Sequence, residues 1–176
     1  DADVSTTQDP KYPLDRQSKI GFPAEADVPD VNARLANEFG RQQLLAMGYA
    51  VVPATDADYL LSLKEAPRDL TVAESDGSPS LGTAVGDGSG GLFTGVGVGI
   101  PLGPPEAVTI HRTELDAVLQ TVENPKITVW QGKILAETTD EAEYRTPFYR
   151  ALLSRIGITF DGTIRLDRNK EVQPSP

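Results

Sequence analysis

Ten of the sixteen glycines in this 176-residue chain crowd between Gly77 and Gly103, a density no helix tolerates. We read residues 75–91 as a flexible loop. The stretch after it, Leu92 to Ile100 (LFTGVGVGI), is different. Leu92, Thr94, Val96, Val98 and Ile100 fall on one face of a period-2 pattern, and Phe93 with Gly95, Gly97 and Gly99 on the other. Such a strand fits inside a sheet, where bare glycines let another backbone approach closely, and this is the reading we favour. The sharper alternative is a contact strand that pairs edge-to-edge with a partner or joins an oligomeric β-structure, and Leu92, Phe93, Val96, Val98 and Ile100 are its candidate interaction residues.

Before the glycines, residues 1–18 (DADVSTTQDPKYPLDRQS) are polar, carry two prolines and show no apolar period, so they are expected to be extended or loose. Lys19 to Phe22 reads as a short strand stopped by Pro23. Residues 30–47 read as a helix with Asp30 as N-cap and Gly48 just past its end. Val31, Leu35 and Phe39 recur at i, i+4 and i+8, which predicts that they face the core. Tyr49 to Val52 reads as a strand. So does Asp58 to Lys64, with Pro67 ending it and Leu70 to Ala73 adding a further piece.

After the glycines, residues 107–122 alternate, but the apolar phase flips near Arg112: Val108 and Ile110 are even-numbered, Leu115, Ala117 and Leu119 odd. A bulge or bend is expected there. Glu123 to Lys126 is a turn sequence, and Ile127 to Ala136 returns as the partner strand, with Gly132 as a second candidate bulge. Thr146 and Pro147 suit the N-cap and N1 positions of a last helix, 146–156, ended by Gly157. The acidic run 140–143 leads into it, favoured by the helix dipole. Ile158 to Leu166 reads as a closing strand and residues 167–176 as a loose tail.

Composition narrows the function classes. Hydrophobic residues make up 39% of the chain, enough for one core at a size where roughly 70% of the unfolded surface is buried. The formal net charge is −10, with a pI near 4.5, so nucleic acid is not an expected partner. The sequence lacks the eighteen-residue apolar run of a membrane helix. With no cysteine, disulfides, thiolate metal sites and Cys nucleophiles are excluded. Residue 1 is Asp rather than Met, so a mature or trimmed form is expected, with any signal peptide or lipid-bearing Cys lying upstream.

No catalytic, cofactor or metal centre can be assembled from the motifs. Gly86 to Gly91 fits G-x-G-x-x-G, but the glycine-rich strand after it cannot be the helix a dinucleotide site needs. His111 is the only histidine, which rules out a multi-His metal site within one chain. It could serve as a general base beside a carboxylate, which keeps a hydrolase using His111 as an alternative. Strand phase puts it opposite Val108 and Ile110, on a face expected to be polar. Asp56, Asp58, Asp76 and Asp87 sit among Gly, Ser and Thr without calcium-loop spacing, so a calcium or small-molecule binding module is the other alternative.

Taken in order, these motifs resemble domain of unknown function 4136, a family of small Gram-negative envelope lipoproteins. The resemblance is carried by the polar segment leading into Lys19 to Phe22; by Leu45-Ala46-Met47-Gly48-Tyr49 with Val51-Val52 and Ala57 to Leu63; by the Gly-rich middle; and by Leu115-Asp116-Ala117 with Val129-Trp130-Gln131-Gly132 before a final helix. It spans roughly residues 15–160; the long glycine insert and residues 161–176 depart from it. It implies a secreted, lipid-tethered α+β domain and brings no catalytic residues.

The expectation is therefore one α+β domain over 19–166, with 75–105 as its Gly-rich loop and strand. An antiparallel or mixed sheet of five to six strands carries two helices on one face, with Trp130, Leu61, Leu63, Leu35, Phe39, Phe148 and Leu152 in or near the core. The expected function is a non-enzymatic envelope (lipo)protein, periplasmic or outer-membrane-tethered, acting through an envelope partner or self-association. It would reach the membrane only through an N-terminal lipid anchor missing from this chain.

Overall fold

The computed structural model describes residues 1–73, 107–138 and 141–166. The expected strand at 92–100, the loop before it and the tail lie outside these residues. The fold is α+β: a mixed six-stranded sheet, unclosed, with two helices on one face. Its strands are β1 (Ala2–Gln8), β2 (Ile20–Gly21), β3 (Tyr59–Ala73), β4 (Ala107–Thr121), β5 (Thr128–Thr138) and β6 (Phe160–Ile164), in the order β2-β3-β4-β5-β1-β6. Among the described strand pairs only β2–β3 is parallel.

The main correction concerns the N-terminus. Residues 2–8 are not a loose lead-in but β1, an inner strand paired antiparallel with both β5 and β6. Ala2, Val4 and Thr6 are buried on one side, while Asp3, Ser5 and Thr7 are exposed on the other. The alternation holds only if Thr6 counts as a core residue. It does so because its hydroxyl donates to the Ile158 carbonyl at 2.7 Å, removing the penalty of burying it.

The core forms on one face of the sheet. Leu61 lies beside Leu119 and Leu63 beside Ala117; Leu119 in turn lies beside Trp130, and Leu115 and Val4 both beside Ile134. All are buried, as are Phe148, Tyr149, Leu152 and Leu153 of α2 (Glu141–Leu153) above them. Gly132 marks no bulge. A Cβ there would come within 2.8 Å of both the Trp130 ring and Leu152, so the bare position is what lets the indole and the helix meet. The register shift lies instead at Val129, the extra residue between the Leu119–Trp130 and Gln120–Thr128 pairs.

Three further expectations change for backbone reasons. Pro67 does not end β3, which continues to Ala73. The amides of Tyr59 and Leu63 point away from β4, to Lys19 and Asn37; alternation sends the Pro67 position the same way, so its missing N–H removes no ladder bond. No bulge occurs near Arg112: β4 pairs with β3 in one register from Ala107 to Thr121. The apolar phase changes where β4 runs past the end of β5 at His111–Thr138, beyond which, among the described residues, only β3 and β4 pair. Finally, α2 starts at Glu141 rather than at Thr146, and Pro147 sits inside it. That costs the bond to the Glu143 carbonyl.

Candidate interaction surfaces

Helix α1 (Val31–Ala46) begins where the sequence predicts: the Asp30 carboxylate accepts the Asn32 amide at 2.9 Å, and Gly48 ends it with φ +81°. Its orientation is not the predicted one. The buried side is Ala36, Asn37, Gly40, Gln43 and Leu44. A Cβ on Gly40 would overlap Leu63, so this small-residue side brings the helix tight onto β3. Asn37 Oδ1 accepts the Leu63 amide at 2.8 Å, satisfying a backbone donor on the side of β3 away from β4, past the end of the two-residue β2. The consequence is that Leu35 is not in the core. Val31, Leu35 and Leu45 point outward, 57%, 58% and 49% exposed, and Phe39 is half-buried at the boundary.

Beside that face, Phe22, Pro23, Val28, Arg34 and Glu38 line a shallow groove of about 250 Å³. At its rim Arg41 and Glu38 pair at 2.7 Å, and this hydrogen bond holds the Glu38 carboxyl below its usual range.

A partly buried polar cluster ties the helices together at the other side of α1. Tyr149 donates its hydroxyl to Glu65 at 2.5 Å, and Arg145 donates to the same carboxylate oxygen at 3.2 Å. The Arg145 guanidinium lies 4.5 Å from the Phe39 ring centre, and Phe39 meets Tyr149 edge-on at 4.7 Å. Burial, reinforced by the Glu65 carboxylate, pushes the Tyr149 hydroxyl well above its ordinary pKa, so it stays a donor. Arg150 donates to Gln43 at 2.9 Å. These contacts hold α1 and α2 as one layer and leave Glu65 15% exposed.

The sheet face away from the helices carries charges of both signs: Lys133 contacts Glu114 at 2.7 Å and Asp116 at 3.3 Å, and Arg112 lies 3.8 Å from Glu137. His111 is half-buried. Its parity in β4 is that of Leu115, the helix-facing side rather than the polar one expected, and its strand neighbours are Asp69 and Thr138. Of the four aspartates considered for calcium, Asp58 accepts the Lys19 amide at 3.3 Å and Asp56 closes a short 3-10 turn; Asp76 and Asp87 lie outside the described residues. Among the described residues no three His, Asp or Glu side chains group as a metal site, and no helix is long and apolar enough to cross a membrane. The outward stripe on α1 was missed because a helix can dock by its small residues, and periodicity reports the larger side chains.

No protein-family model matches the chain, and no curated protein does. Solved structures do. The dodecamer of PelC from Paraburkholderia phytofirmans is similar with a TM-score of 0.53 and 16% identity, covering 89% of this chain and 99% of that one. A single-substitution variant of the same PelC, also a dodecamer, gives 0.50 and 16%, over 89% and 98%. At this identity the likeness is one of fold, and it extends over nearly the whole of both chains.

Proposed function

We propose that this chain is a non-enzymatic protein of a bacterial envelope that works through protein contact, and that one such contact is with further copies of itself. The observation that carries the reading is the outward stripe of Val31, Leu35 and Leu45. A helix that turns three large apolar residues to water, while Ala36 and Gly40 bring its other side close to the sheet, leaves area to be covered by another protein. The PelC structures of similar fold are dodecamers, which favours a second copy as the covering partner. The envelope assignment rests on the family resemblance, with the membrane reached through a lipid anchor upstream of residue 1.

The test is the mass of the chain in solution. Sedimentation velocity over a hundredfold concentration range should show species at multiples of 18.9 kDa. Leu35→Glu should weaken association about tenfold or more, since it places a charge in an apolar contact, while leaving the circular dichroism unchanged. A single monomeric species throughout would refute self-association. Fractionation of cells making the full precursor tests the location; recovery in the cytosolic fraction would refute it.

A further inference from the structure

Strand β6 lies at the sheet edge opposite to the one α1 protects. Its outward groups can be deduced from β1. The Gln8 amide bonds to Thr159 Oγ1, on the β6 side, and the Asp9 amide to the Val129 carbonyl, on the β5 side. Even-numbered residues of β1 therefore turn their peptide groups toward β6, where their partners are Phe160, Gly162 and Ile164. Alternation then directs the N–H and C=O groups of Asp161 and Thr163 away from the sheet, and Arg165 follows one residue past the end of the strand with its side chain exposed. Among the described residues, no strand pairs with that side.

The side chains make this edge complementary to itself. When two copies pair antiparallel, outward-directed residues must face outward-directed residues. Centring the pair on Thr163 engages all of them: Thr163 faces its own counterpart, and Asp161 of each copy faces Arg165 of the other. Opposite charges then meet twice across the strands. Sliding by two residues loses both meetings, and parallel in-register pairing sets like charges side by side. On the helix-facing side, the same register sets Ile164 of one copy over Gly162 of the other, where no side chain stands in the way. Odd-numbered residues keep to the polar face in both copies, so the two sheets join without a break in phase.

We propose that β6 pairs with β6 of a second copy, antiparallel about Thr163, joining two six-stranded sheets into one. This rests on the self-association proposed above and adds a surface separate from α1. The chain has no cysteine, so Thr163→Cys introduces a unique thiol. Residues in a hydrogen-bonded antiparallel pair sit with Cα atoms about 5.5 Å apart, within disulfide reach. Mild oxidation should give a covalent dimer, and Ser62→Cys, exposed on the same face but far from β6, should not. Asp161→Arg and Arg165→Asp should each weaken the dimer about tenfold, and an equimolar mixture of the two variants should recover wild-type affinity, because every cross-strand pair is then again opposite in sign. Wild-type oligomers that neither charge variant weakens, or a Thr163→Cys chain that oligomerises without forming the disulfide, would overturn the edge pairing and leave self-association standing. A wild-type chain that stays monomeric would overturn both.

Discussion

Removing the Tyr149 hydroxyl tests the account of how the helices are held. In Tyr149→Phe the ring keeps its edge contact with Phe39 and its neighbour Phe148, so packing is preserved and what is lost is the hydroxyl, with its bond to Glu65 and its contact with Arg145. A hydrogen bond to a charged group contributes about 1.5–3 kcal/mol. Glu65 keeps Arg145 at 3.2 Å and some access to water, which points to the lower end, about 1.5–2 kcal/mol, or roughly 5 °C in Tm for a domain of this size. The pH dependence makes the test specific. The folded hydroxyl titrates above its unfolded value of about 10, so its contribution is fully present below pH 10 and is lost as pH rises toward the folded pKa. Above about pH 10 the unfolded chain gives up the proton while the folded one holds it, and stability falls by about 1.4 kcal/mol per pH unit for this group. Phe has no such slope. Urea unfolding should therefore find the variant weaker at pH 7 and 9, with the gap closing between pH 11 and 12. A variant as stable as wild type at pH 7, or a gap that does not narrow with pH, would refute the reasoning.

Other changes probe separate contacts. Asn37→Ala leaves the Leu63 amide unpaired under α1 and should cost about 1–3 kcal/mol, read by urea unfolding. Gly132→Ala places a methyl against Trp130 and Leu152 and should cost about 1–3 kcal/mol by overpacking, with a change in Trp130 fluorescence. Asp30→Ala removes the α1 cap and should lower the urea-unfolding free energy by about 1 kcal/mol. Leu35→Glu should leave the unfolding midpoint of the monomer within about 0.5 kcal/mol, because the side chain is outside the core.

The elements most legible in the sequence were those whose signals are local. Asp30 and Gly48 bracket α1 as caps should, and Leu61, Leu63, Leu115 and Leu119 alternate onto the buried face as predicted. Misreadings arose wherever the deciding partner was remote. Residues 2–8 read as polar because half of them face water and Thr6 needs Ile158, 152 residues away, to be buried cheaply. Pro67 read as a stop because its edge position is set by where α1 lies. Phe39 and Leu35 read as one stripe, yet only Phe39 meets the Arg145–Tyr149 cluster.

The chain on its own determined the class of fold, the single buried face and the two helices, because caps and periodicity act over a few residues. Tertiary structure alone decided which side of α1 faces the core, which strand fills the centre of the sheet and which strand is left at its edge. Those outcomes depend on close approach between distant segments, Gly40 against Leu63 and β1 between β5 and β6. No local pattern encodes such contacts.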